Sequence, residues 1–208
     1  MRLSAPAAII FALLPTGAFA QAPGPAWGSS RAAVLAAEPD QAHNVVEADG
    51  EVVIQRDSAA WGGAAARILY IFANDKLVRS KFIFSAEPVD PTSYISDYAA
   101  IAARMLKEFG KPTAERAVWE NDSLQEEKIA YLQQDRALPS DVLPSDKNVG
   151  LSIALGHLKL YAQWCGPQTE ILHTLTGVDQ KVTHQIEFRS VELKALESTK
   201  KVCTPPVL

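Results

Sequence analysis

Three runs near the C-terminal end constrain this chain more than anything else in it. Residues 157–164 (HLKLYAQW), 170–176 (EILHTLT) and 181–190 (KVTHQIEFRS) alternate apolar and polar side chains with a period of two. Only a strand sends successive side chains to opposite sides; a helix repeats every 3.6 residues. The alternation puts Leu158, Leu160, Ala162 and Trp164 on one face of the first run, opposite Lys159 and Gln163. It gathers Ile171, His173 and Leu175 in the second, and Val182, His184, Ile186 and Phe188 in the third. Thr183, Gln185, Glu187 and Arg189 fall on the other side. The expected structure is an antiparallel sheet with one face on a core and one face wet.

The first half reads in the same way. Ser29 or Ser30 can cap a short helix that turns Val34 and Leu35 inward. Asp49-Gly50 and Asn74-Asp75 each sit between apolar runs and predict two hairpins, because a tight hairpin turn needs residues that tolerate positive φ. A proline-broken linker (SAEPVDPT) follows. Tyr98, Ile101, Ala102, Met105 and Phe109 then recur at helical spacing from Ser93 onward, and Gly110 and Pro112 stop that helix. The run ERAVW predicts a short strand, and Ser123 to Glu126 has the form of a capping box opening a polar helix over 123–136. The repeated LPSD reads as a loop. The fold class is therefore α+β, as two consecutive units of a helix plus an antiparallel β-meander, over 21–85 and 93–208.

Residues 1–20 (MRLSAPAAIIFALLPTGAFA) have the layout of a secretory signal peptide: a basic start, an apolar centre and Ala18-Phe19-Ala20 before the cleavage position. The apolar run is too short for a membrane span, and no cysteine follows it to carry a lipid. The expectation is a periplasmic or secreted protein cleaved after Ala20. The net charge of −4 comes from mixed signs without a basic block, which argues against nucleic acid and anionic membranes as partners. The expected partner is a protein or an envelope component.

The chemistry-bearing candidates are few. Trp164-Cys165-Gly166-Pro167 resembles the core of a thioredoxin active site, with Gln168 where the second cysteine would stand. That chemistry needs its first cysteine at a helix N-terminus, where backbone N–H groups favour the thiolate. The residues after Pro167 alternate like a strand, so a β-turn is the expected structure. A monothiol redox role for Cys165 is the alternative. In an oxidising compartment, Cys165 and Cys203 form a candidate disulfide. Pairing Leu175 with Val182 around a GVDQ turn puts His173 directly opposite His184, the start of a metal site or a proton-handling pair, or two core histidines satisfied by hydrogen bonds. His157, the nearest third ligand, falls by parity on the other face. Trp119 and Trp164 read as core or sheet anchors, while Trp27 and Trp61, beside glycines, are the candidate exposed binding aromatics. No G-x-S-x-G, H-E-x-x-H, Walker A, dinucleotide or zinc-type pattern occurs, so no reaction and no cofactor are expected. The expected role is that of a non-catalytic binding or accessory protein.

The runs AWGSSRAAVL, FANDKLVRSKFIF and LKEFGKPT, with the later strand carrying Trp164, resemble a family of uncharacterised exported bacterial proteins. The duplicated helix-plus-meander order is similar in outline to β-lactamase-inhibitor proteins and small outer-membrane assembly lipoproteins, whose lipid-bearing cysteine has no counterpart here. These likenesses imply a fold and carry no activity.

Overall fold

The structure is a computed structural model that describes residues 23–37, 43–48, 51–61, 64–84, 90, 93–121, 147–197 and 203. Residues 1–20, expected to be a signal peptide, and 123–136, expected to be a polar helix, lie outside the described residues. Eight strands form one antiparallel sheet: β1 (His43–Ala48), β2 (Glu51–Trp61), β3 (Ala64–Ala73), β4 (Lys76–Phe84), β5 (Ala114–Trp119), β6 (Leu158–Cys165), β7 (Thr169–Val178) and β8 (Lys181–Ser190). Their order across the sheet is β1-β2-β3-β4-β8-β7-β6-β5. Each group of four consecutive strands thus runs from an outer edge inward. The groups meet where β4 pairs with β8, Phe82 opposite Ile186 and Phe84 opposite His184. The α+β class read from the sequence is what the chain adopts.

Two hairpins show why the strands begin and end where they do. Asn74 and Asp75 have φ of 50° and 55° and join β3 to β4; Asp179 and Gln180, at 49° and 67°, join β7 to β8. Such left-handed pairs match the right-handed twist of the strands they connect. The Asp49-Gly50 turn lies outside the described residues, but Ala48 pairs with Glu51 across it.

Among the described residues, three α-helices pack on one face of the sheet. In α1 (Arg31–Ala37), Ser30 Oγ accepts the Ala33 N–H at 3.2 Å, so Ser30 is the cap, and Val34 is buried. In α2 (Ser93–Phe109), Tyr98, Ile101, Met105 and Phe109 of the expected stripe are buried and Ala102 is half-buried, with Ile95 buried as well. Gly110 ends it with φ of +76°, and its carbonyl accepts the indole N–H of Trp164 at 2.8 Å. Trp164 on β6 is fully buried, as expected of an anchor, and ties the sheet to the end of α2.

The third helix, α3 (Lys147–Ala154), was not legible in the sequence. It is short and contains Gly150, and Val149 and Ile153, buried along with Ser152 and Ala154, join the apolar cluster on the sheet. Packing, not propensity, holds a helix of this length. It reaches the sheet where β7 has no side chain: a Cβ at Gly177 would overlap the carbonyl oxygen of Ile153.

The expectation of a wet second face holds only in part. Glu187 and Arg189 on β8, and Arg79 on β4, point away from the helices yet are buried. The cause is the segment that follows β8. It doubles back over the sheet through a 3-10 turn (Lys194–Leu196) and sets Leu193 against Ile71, Ala73 and Val78. Among the described residues, no helix is long and apolar enough to cross a membrane.

The crossing of α3 over β7 and the end of α2 respond differently to an added methyl group. Gly177→Ala is expected to lower stability by about 3 kcal/mol through overpacking against backbone. Gly110→Ala meets open space and loses about 1 kcal/mol for its left-handed φ alone. Urea denaturation of both variants measures the difference.

Candidate functional site

The histidines come together, but not by the pairing expected. The turn of the last hairpin is Asp179-Gln180 rather than GVDQ, so the register moves by two residues. Leu175 faces His184, and His173 faces Ile186. The physical reason is that a two-residue turn with both φ positive lets Thr176, Gly177 and Val178 continue the ladder. His173 and His184 are therefore diagonal neighbours on the helix face, with their Nε2 atoms 2.8 Å apart.

The pair is sealed. His173 is 0% exposed and His184 4%. The Tyr98 ring from α2 stacks on His173 with centroids 4.1 Å apart and planes 11° apart, and Phe84 lies 4.5 Å from His184. At 2.8 Å, one imidazole donates its Nε2 proton and the other, unprotonated at that nitrogen, accepts it. Burial pushes His173 well below the ordinary histidine value, and the neighbouring His184 adds to that. Burial likewise lowers His184 to about 4. Tyr98 is pushed up, first by burial and then by the Glu115 carboxylate.

Two nitrogens bound tetrahedrally to one zinc ion lie about 3.3 Å apart, given bonds of about 2.0–2.1 Å. The imidazoles are closer than that and bonded to each other. His157 lies just before β6 and does not join them, and the described residues contain no grouping of three or more His, Cys, Asp or Glu suited to a metal. The two core histidines meet through a mutual hydrogen bond at Nε2, while His173 Nδ1 is buried with no hydrogen-bond partner among the described residues.

Cys165 ends β6, and a strand, β7, follows Pro167 where the thioredoxin-like motif needs a helix. Gly166 N–H bonds to the Thr169 carbonyl at 3.1 Å and closes the turn. The Cα atoms of Cys165 and Cys203 are 5.8 Å apart and their sulfurs are at disulfide distance. Trp27 is half-buried against the core, and its indole N–H donates to Thr169 Oγ1 at 3.0 Å. It fastens the N-terminal lead-in to β7. Trp61 is the last residue of β2, and its side chain lies outside what the structure describes.

The face away from the helices is the more open one. A transverse row crosses six strands there: Arg116, Tyr161, Thr174, Gln185, Ile83 and Arg67, each opposite the next. Arg67 is exposed and the other five are half-buried. The neighbouring row on the helix face (Ala117, Leu160, Leu175, His184, Phe84 and Ala66) is buried throughout. Beside the open row lies the charged group that sequence reading missed. Glu187 receives Lys81 at 2.8 Å and Arg189 at 2.7 Å, with Arg79 at 3.7 Å. Burial pushes its carboxyl up, but Lys81, Arg189 and Arg79 together hold it below the ordinary value. Only the pairing of β4 with β8 brings these residues together, and no local pattern announces that pairing.

Two measurements check this geometry. Native protein is expected to show no reactive thiol and two after reduction in denaturant; removing the link, which spans a sequence separation of 38, costs about 3–4 kcal/mol by loop-closure entropy. The histidine pair predicts acid sensitivity. Because the folded value of His184 lies below its unfolded value of about 6.5, unfolded chains take up the proton first. Stability is then full above about pH 6.5 and falls by about 3 kcal/mol toward pH 4 for this group alone. An imidazole resonance of His184 that titrates near pH 4 confirms the cause; one that titrates at an ordinary value refutes it.

No protein-family model, curated protein or solved structure matches the chain, so the functional reading comes from the two faces of the sheet.

Proposed function

We propose that this chain is an exported, non-catalytic binding or accessory protein that holds a protein partner on the helix-free face of its sheet. The observation that carries the reading is the half-buried row Arg116, Tyr161, Thr174, Gln185, Ile83 and Arg67. An aromatic ring, an aliphatic side chain and two short polar groups stand together between arginines. Tyrosine and arginine are the residue types that most often anchor protein interfaces, and Tyr161 offers its ring there, since its hydroxyl is buried.

The non-catalytic part of the proposal is supported by the position of the titratable groups. His173, His184 and Tyr98, the nearest approach to an acid–base constellation, are sealed beneath α2, and a general base must reach the proton it moves. Export is inferred from the leader over 1–20, and a cysteine pair placed for a disulfide agrees with an oxidising compartment.

Site-specific photo-crosslinking tests the surface. A photoreactive residue at Thr174 or Gln185, in protein exported by its host, is expected to trap one and the same partner. The same residue at Ala103, exposed on the outer side of α2, should trap none. Equal adducts from both faces, or none from Thr174 and Gln185, would overturn the assignment.

A further inference from the structure

Arg79 and Arg189 stand directly opposite each other on β4 and β8. Both are nearly buried, at 7% and 6% exposure. Like charges at a cross-strand pair repel, and burial strengthens the repulsion by lowering the local dielectric. Such a pair persists only if carboxylates are brought to it. The sheet brings Glu187, which also serves Lys81, and sets Glu170 opposite Arg189. A further one comes from outside the sheet. Glu197, beyond the 3-10 turn, places its carboxylate against Arg79 Nε, with its second oxygen 3.6 Å from Arg189 Nε. The Glu197 side chain is 1% exposed.

The segment carrying Glu197 is fastened like a strap. Val191 N–H bonds to the Gln168 carbonyl at 3.0 Å, and Leu193 fills an apolar spot on the sheet. Lys194 lies 3.7 Å from Glu170. Cys203, further along, sits at disulfide distance from Cys165. Cys165, Glu170, Arg189 and Arg79 form one transverse row across β6, β7, β8 and β4, so the strap lies along the row that holds the arginines. Removing Glu197 takes a carboxylate away from two buried guanidinium groups that share Glu187 with Lys81. Guanidinium forks recognise carboxylates by paired N–H donors, which makes this a seat for a carboxylate rather than for a neutral group.

We propose that Arg79 and Arg189 form a carboxylate-binding seat on the helix-free face, that Glu197 is its resident occupant, and that a glutamate or aspartate of a protein partner takes the seat when the strap lifts. The proposal rests on the reading of this face as a binding surface and gives it a partner chemistry and a built-in competitor. The Cys165–Cys203 link sets how firmly the competitor is held.

The test uses the full mature chain with ¹⁵N-labelled arginine, and as probe a capped peptide of the chain's own residues 191–197 (VELKALE), acetylated and amidated at its ends. In an E197Q, C165S, C203S variant the peptide is expected to shift the Nε–Hε resonances of Arg79 and Arg189 saturably. Binding should be at least tenfold tighter than to oxidised wild type and lost with a VELKALQ peptide or on adding R189Q. Equal binding to wild type, equal binding of the two peptides, or no shift in the folded variant would overturn the proposal. If that variant loses its native circular dichroism, the same titration into E197Q with its disulfide intact decides, on the same criteria. Photo-crosslinks retained at Thr174 without peptide binding at the arginines would remove the seat alone. Peptide binding without those crosslinks would remove the wider surface alone.

Discussion

The pairing of β4 with β8 is the contact on which the rest of this structure depends. Each four-stranded group ends on one of these strands, and only their union makes a sheet of eight. Across it, Phe82 meets the edge of Phe188 with centroids 5.9 Å apart, and Phe84 packs beside His184. The larger apolar cluster draws Tyr70, Phe72 and Phe82 from one side and Trp164, Ile171 and Phe188 from the other, with α1 and α2 above it. Sheets and helices are stable when each hides one apolar face against another layer. Here the junction lets two short groups share one such layer.

The same junction explains why the two faces solve the problem of buried polarity differently. On the helix side, the two imidazoles are kept neutral and bonded to each other, since a buried charge without a counter-charge is the costlier choice. On the other side, charges are retained and matched: three cations from β4 and β8 meet Glu187 from the sheet and Glu197 from the segment that follows. Neutralisation by loss of a proton works for histidine near neutral pH and does not work for arginine, which stays charged in proteins. The identity of the residues therefore decides which device each face uses.

Much of this was readable from local pattern. The alternation of residues 157–164 and 181–190 identified both strands and the inward faces of Trp164 and Phe188, because burial acts on every second side chain. The helix from Ser93 and its stop at Gly110 were equally plain, as was the Asn74-Asp75 turn. What escaped was whatever depends on distance along the chain. Val149 and Ile153 make a helix only because Gly177, far downstream, leaves room for it. Glu187 and Arg189 looked like residues of a wet face, since nothing in β8 reveals that Val191–Glu197 returns to cover them. The histidines were placed on the right face but in the wrong register, a difference of one turn length that hydrophobic alternation cannot detect, because a shift of two residues preserves the faces.

The strand order carries a consequence for how the molecule comes into being. Chain growth produces β4 well before its partner β8, the last strand among the described residues. Until β8 has been made, the first group of strands presents an unpaired inner edge, beside Phe82, Phe84 and their neighbours, of the kind that invites wrong partners. Pairing so distant in sequence is slow, since loop closure must precede the contacts that reward it. A nascent molecule of this design is therefore open to exchange: the β8 of one copy can complete the β4 of another, giving an intertwined dimer from the same contacts that make the monomer.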